Sequence, residues 1–201
     1  MDVLEIIGAV IGIIYLFLEY KANVWLWPVG ILMSLFYVVI FFHDKFYADA
    51  AVYLYYIGAN VYGLYAWLKR SHHGESSGQS TSSDPIVHTP QSMIWKLFVA
   101  FVLVYALIAF VLVRFTDSPV PYGDALTTSM SVVATYMLAK KWLEQWLLWI
   151  VVDVISTALY LWKGLYPTAL LFTIYVVVAI MGYFKWRRDM LDTSSMAEVV
   201  E

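Results

Sequence analysis

QWLLWIVVDVISTALY, residues 145–160, is an apolar run carrying one acid, Asp153, near its middle. At 3.6 residues per turn, Trp146, Trp149, Asp153, Ser156 and Tyr160 recur three and four apart and share one face of a helix, and Leu, Ile and Val fill the other. A carboxylate at mid-bilayer depth costs about 2.5–3.5 kcal/mol on insertion scales, so Asp153 is expected to face protein, water or a ligand rather than lipid. Between indoles, such an acid reads as a receptor for something flat and cationic, held by stacking, cation–π attraction and Coulomb pairing in a low dielectric. The structural alternative is an acid that pairs with a hydroxyl or amide on a neighbouring helix.

The rest of the chain supports a membrane setting for this helix. Of its 201 residues, 62% are hydrophobic and 13% charged, which excludes an ordinary soluble domain and describes a polytopic membrane protein. Seven apolar segments, near 3–20, 24–42, 47–68, 92–114, 124–140, 145–163 and 165–186, approach the length that crosses ~30 Å of hydrocarbon. The predicted fold is therefore all-α with seven transmembrane helices. The expected division is a first triple-helix bundle (1–70), a flexible Ser- and Gly-rich cytoplasmic linker (71–91) and a linking transmembrane helix (92–115). A second triple-helix bundle (116–188) and a cytoplasmic tail (189–201) follow. With the amino terminus outside, nine Lys and Arg residues fall on the cytoplasmic side against three outside, which sets the orientation in a bacterial cytoplasmic membrane. The acidic start MDVLEII lacks a basic n-region, so helix one is expected to belong to the mature protein.

Several chemistries are excluded. There is no cysteine, no basic stripe for nucleic acid, and no HExxH, GxSxG or P-loop sequence. No catalytic residue, metal site or cofactor is expected, and His72 and His73 read as solvated linker residues.

Displaced by 119 residues, the chain matches itself without a gap: Lys21 meets Lys140, Trp27 meets Trp146, Tyr47 meets Tyr166, Gly63 meets Gly182 and Trp67 meets Trp186. One helix between two triplets makes the repeat parallel, a 3+1+3 arrangement, and carriers of that plan bind substrate near the membrane midplane. On helix three, Asp49, Tyr53, Tyr56, Asn60, Gly63 and Trp67 form a polar and aromatic stripe, and Asp124, Thr128, Ser131 and Thr135 do so on helix five. Thr128, Ser131, Gly63 and Gly182 are read as helix-packing residues, and Trp67, Trp142 and Trp186 as interfacial anchors. The candidate substrate-binding set is Asp153, Trp149, Trp146, Tyr53, Tyr56, Asn60, Ser156 and Tyr175.

NVWLWPVGILMSLFYVVIF, FYADAAVYLYYIGANVYGLYAW, KKWLEQWLLWIVVDVIS and GLYPTALLFTIYVVVAIMGYFKW together resemble the PnuC family of bacterial vitamin transporters. The most specific parts are Asn60-x-Tyr62-Gly63 with Tyr65-x-Trp67, and Trp146-x-x-Trp149. The resemblance implies a SWEET-like fold and facilitated diffusion of a B-type vitamin that a cytoplasmic kinase then traps by phosphorylation. It also implies that nicotinamide riboside carriers have an amide and a Gln where this chain has Asp153 and Tyr53. That exchange favours thiamine, with its permanent thiazolium charge, over nicotinamide riboside and over neutral riboflavin; a proton-coupled carrier titrating Asp153 is a further alternative. The partners expected are the vitamin, the lipid bilayer and the kinase, with a homo-oligomer left open.

Overall fold

The computed structural model describes residues 3–43, 47–76 and 85–200. Seven helices lie among them: α1 (Val3–Tyr20), α2 (Leu26–His43), α3 (Tyr47–Ser76), α4 (Gln91–Phe115), α5 (Pro121–Ala139), α6 (Gln145–Trp162) and α7 (Tyr166–Val200). They group into two compact units, Met1–Asp84 and Pro85–Glu201. In the first, α2 packs on α1 and on α3; in the second, α4 packs on α5, α5 on α6 and α6 on α7. Lys45 and the side chains of Asp49, His72 and His73 lie outside the described residues.

Hydropathy separates these helices by environment. Gln91–Phe115, Gln145–Trp162 and Thr168–Thr193 are long and apolar enough to cross a membrane, and Val10–Tyr20 and Leu26–Val39 are shorter apolar stretches among the described residues. Only Ala109 is buried on α4, as expected of a helix whose surroundings are lipid. On α5 the hydroxyls turn inward onto their own helix: Ser131 donates to the Thr127 carbonyl at 2.9 Å and Thr135 to the Ser131 carbonyl at 2.8 Å. Small side chains satisfied in this way let neighbouring backbones approach closely.

Three boundaries differ from the sequence expectation. α3 continues to Ser76, past Arg70, since the backbone ladder need not stop where the apolar run does. α7 likewise runs on through the expected tail to Val200, with Lys185 and Asp189 paired one turn apart. α5 starts earlier, at Pro121, whose fixed φ suits the first turn of a helix.

The 119-residue displacement recurs in the geometry of each unit. α1 closes on Ala22 at φ 49°, with Ala22 N–H donating to the Glu19 carbonyl (2.9 Å) and Asn23 N–H to the Leu18 carbonyl (2.9 Å). α5 closes on Lys141 at φ 53°, with Lys141 N–H donating to Leu138 (2.9 Å) and Trp142 N–H to Met137 (3.1 Å). Both are left-handed helix caps built without the usual glycine, and each leads within a few residues into the next helix. Beyond the cap, Trp27 of α2 lies against Gly63 of α3 and meets Trp67 edge to face at 5.4 Å. Trp146 of α6 lies against Gly182 of α7 and meets Trp186 edge to face at 5.6 Å. This corrects the reading of Trp67, Trp142 and Trp186 as interfacial anchors. Trp67 is 4% and Trp186 0% exposed, and Trp142 packs with Val133 and Met137. For Trp67 and Trp186 the cause is the partner indole, Trp27 or Trp146, which sits in the recess left by the glycine one turn earlier on their own helix and covers them edge to face.

A Cβ at Gly182 would come within 2.7 Å of the Trp146 ring and one at Gly63 would overlap the Trp27 ring, whereas one at Gly58 would meet nothing within 4 Å. Gly63→Ala and Gly182→Ala are each expected to destabilise by about 1–3 kcal/mol. Gly58→Ala on the same helix should be neutral or stabilising by up to ~1 kcal/mol. Thermal unfolding in detergent checks the contrast; equal shifts for Gly58 and Gly63 would refute the indole–glycine joint.

Candidate functional site

The start of α6 is fixed from outside the helix. Residues 85–90, expected to be flexible linker, lie along the turn between α5 and α6: Val87 N–H donates to the Lys141 carbonyl (3.1 Å) and Leu143 N–H to the Val87 carbonyl (3.0 Å), a parallel bridge. Ile86 beside it is buried. The Glu144 carboxylate, immediately before α6, accepts from Thr89 N–H at 2.8 Å and the Thr89 hydroxyl at 2.7 Å, and lies 2.6 Å from His88 Nδ1. Burial acts to raise the Glu144 pKa, but the hydrogen bonds from His88 and Thr89 outweigh it and hold the group below its ordinary value. The same carboxylate sits at the entry to α4, so one side chain fastens the beginnings of α4 and α6 together.

From that anchored start α6 carries four of the candidate residues. Trp146 is 1% exposed and enclosed by Gly182 and Trp186, the position its counterpart Trp27 holds in the first unit, which identifies its ring with packing. Asp153 is 5% exposed, and among the described residues its carboxylate has no hydrogen-bond or ion-pair partner. Trp149, one turn earlier, is half-buried with its indole N–H covered and unpartnered. Ser156 is buried on the same face. Tyr175 of α7 is linked to this face through a chain of rings: Tyr160 packs on Phe172 at 5.1 Å and Phe172 on Tyr175 at 5.4 Å.

Tyr53, Tyr56 and Asn60 lie on α3 of the first unit. Tyr53 stacks on Tyr37 of α2 at 4.9 Å, with Tyr56 6.0 Å further along. Asn60 donates from Nδ2 to the Tyr56 carbonyl at 2.7 Å, and its Oδ1, buried and without a partner among the described residues, faces Gly30 of α2, where any Cβ would collide with it. The structure thus gathers the eight candidates into two clusters, one in each compact unit.

Among the described residues, Glu19, Ser34, Ser129, Lys141 and Gln145 are buried polar groups that the sequence reading did not single out. Gln145, 0% exposed, occupies the stripe of Asp153 on α6, and Ser34, 4% exposed, lies on α2 of the first unit. The four-residue spacing from Gln145 to Trp149 to Asp153 was the available signal for Gln145. Asp124, by contrast, is engaged: Lys163 lies 3.0 Å away and the Ser118 hydroxyl donates to it at 2.7 Å. It therefore offers no second free acid to Asp153, and among the described residues no cluster of metal-ligating groups occurs.

Comparison with known proteins places this arrangement among carriers. A family model described as nicotinamide mononucleotide transporter matches residues 2–188. The nicotinamide riboside transporter PnuC of Escherichia coli (strain K12) is 22% identical, over 96% of this chain and 89% of its own. The riboflavin/roseoflavin transporter RibM of Streptomyces davaonensis is 26% identical, over 92% of this chain and 86% of its own. A crystal structure of the vitamin B3 transporter PnuC superposes with a TM-score of 0.70 at 21% identity, covering 92% of this chain and 80% of that one.

The Glu144 anchor has a defined pH dependence. Its folded-state pKa is lower than that of the unfolded chain, so its contribution is complete above the ordinary glutamate value and is lost as pH falls through the lower folded one. His88 is largely exposed, so the effect is modest, about 1 kcal/mol or less. Hydrogen exchange at the Val87 and Leu143 amides, corrected for intrinsic rate, is expected to quicken up to roughly fivefold on acidification through that range. In Glu144→Gln it should be fast and flat with pH; an unchanged wild-type profile would show that the carboxylate does not hold the strand.

Proposed function

The chain belongs to the nicotinamide mononucleotide transporter family and is a PnuC-type vitamin transporter rather than an enzyme, and on that premise we propose that it carries a B-type vitamin with a cationic ring across the bacterial cytoplasmic membrane. The observation that carries the proposal is the Asp153 carboxylate, buried on a helix long and apolar enough to span a membrane, with no counter-charge among the described residues and an indole one turn away. An unpaired acid in that setting is a liability unless a cation joins it, and at an effective dielectric of 20 a pair 4 Å apart gains about 4 kcal/mol. The half-buried Trp149 supplies a π face for the same ring.

Two vitamins meet this description. Nicotinamide riboside, named for the PnuC relatives, is the first reading. Thiamine is the second, favoured by Asp153 and Tyr53 standing where the family resemblance gives nicotinamide riboside carriers an amide and a Gln. Riboflavin, named for RibM, is neutral and suits a buried acid least. Ser156 and Tyr175 are assigned to the same recognition face, and Tyr53, Tyr56 and Asn60 to residues whose replacement alters affinity. Trp146 keeps a place in the set through its contact with the site helix rather than through its enclosed ring.

The mechanism proposed is facilitated diffusion by alternating access in a parallel, SWEET-like 3+1+3 repeat. The recurrence of the same helix cap and the same indole–glycine joint in both units supports it. The Lys and Arg distribution supports an external amino terminus and a cytoplasmic carboxyl terminus. Trapping by a cytoplasmic vitamin kinase follows chemically, since Asp153 repels a phosphorylated product and helix α6 carries no Lys or Arg to neutralise it.

Equilibrium binding of nicotinamide riboside, thiamine and riboflavin to the purified protein tests this. Asp153→Asn is expected to weaken the cationic vitamin that binds best by at least about tenfold, equivalent to ~1.4 kcal/mol, and to leave riboflavin unchanged. Undiminished cation binding by the variant would return Asp153 to a structural role. In vesicles without kinase, uptake should equilibrate and withstand an uncoupler; collapse would favour proton coupling.

A further inference from the structure

Gln145, the first residue of α6, is completely enclosed, and among the described residues neither its amide oxygen nor its amide nitrogen has a hydrogen-bond partner. Buried polar atoms left without partners destabilise a fold, and native structures hold few of them. The local architecture does not demand the amide. In the first unit the equivalent position, 119 residues earlier, is Leu26, the first residue of α2 and equally enclosed. It lies between the same left-handed cap and the same glycine-seated indole. Leucine therefore satisfies this position of the repeat, and the second unit keeps glutamine against its own stability.

Gln145, Trp149 and Asp153 recur every fourth residue, so they form one inclined stripe about 12 Å long at 1.5 Å per residue. Each has unmet polar chemistry: both ends of the amide, the indole N–H, and the carboxylate. We propose that Gln145 is a second recognition point for the transported molecule, reading a group that sets a hydrogen-bond donor beside an acceptor, while Asp153 holds the cationic ring. A side-chain amide presents a carbonyl acceptor and N–H donors in one plane. Its natural complement is another primary carboxamide, or the amino group and ring nitrogen of an aminopyrimidine. Replacing the donor of that group by a second acceptor or a methyl leaves a buried partner unmet, which is the strongest kind of discrimination a polar site achieves. The amide is covered in this structure, so ligand contact requires the first turn of α6 to be uncovered during the transport cycle. The inference rests on the vitamin-carrier reading.

The test uses full-length protein in detergent, with thermal unfolding and calorimetric binding on the wild type, Gln145→Leu and Gln145→Met. Two ligand pairs differ only in the group read: nicotinamide riboside against acetylpyridine riboside, and thiamine against oxythiamine, in which a ring carbonyl replaces the amino group. The wild type is expected to prefer the donor-bearing member of the pair it binds by at least tenfold. Gln145→Leu should unfold at the same or a higher temperature, bind that member at least tenfold more weakly, and no longer distinguish the pair. A wild type that binds a vitamin without preference within its pair overturns the inference and leaves the carrier reading intact, as does a folded variant that keeps the wild-type preference. A wild type that binds none of the four overturns the reading of the cargo as a cationic vitamin, on which the inference rests.

Discussion

Inside hydrocarbon a polar group has no water to turn to, so whatever the protein does not satisfy internally remains unsatisfied. Most of this chain obeys that constraint. The hydroxyls of Ser131 and Thr135 fold back onto their own helix, Asp124 is held by Lys163 and Ser118, and the ends of α1 and α5 close on themselves through left-handed caps. Against that background the exceptions are few and grouped. Among the described residues, buried polar atoms without a hydrogen-bond partner occur on Gln145, Trp146 and Trp149 of α6, on Asn60 of α3 and on Trp27 of α2, and the Asp153 carboxylate is buried on the same face of α6.

The two units share a frame and differ in what the frame presents. Cap, indole, glycine and second indole recur at corresponding positions, and these are the contacts that seat α2 on α3 and α6 on α7. Around that joint the matched positions diverge: Leu26 against Gln145, Gly30 against Trp149, Ser34 against Asp153, Asn60 against Ala179. In the first unit α2 gives way and α3 supplies the amide; in the second α6 supplies indole, acid and amide and α7 gives way. A duplicated frame thus carries unlike surfaces without altering the packing that holds it, because the joint and the variable positions lie on different residues of the same turns.

Helix number and the burial of Asp153 on the face it shares with Trp146 and Ser156 were legible because each rests on local periodicity. The tryptophans were not. Position near a helix end suggested interfacial anchoring for Trp67 and Trp186, and only the partner indoles Trp27 and Trp146, seated on Gly63 and Gly182 and distant in sequence, reveal that both are buried in a helix contact. The extension of α3 to Ser76 and the docking of Val87 against Leu143 were hidden for a similar reason. Helix continuation in polar sequence leaves no hydrophobic period, and a two-residue bridge leaves no pattern at all. Gln145 was visible by spacing, but an amide at a helix start reads as solvent-facing until its burial is known.

The grouping of unmet polar atoms bears on how tightly a carrier holds its cargo. Each buried orphan costs the empty protein about 1–3 kcal/mol, and a ligand that satisfies it recovers that cost as binding energy. A stripe of such groups makes recognition strict, since a molecule lacking one partner forgoes its share. It also keeps affinity below what the contacts alone would give, because ligand ordering and desolvation of the polar groups it brings draw on the same energy. A transporter needs this balance: a site completed only by the right molecule, yet bound weakly enough that the molecule leaves on the other side.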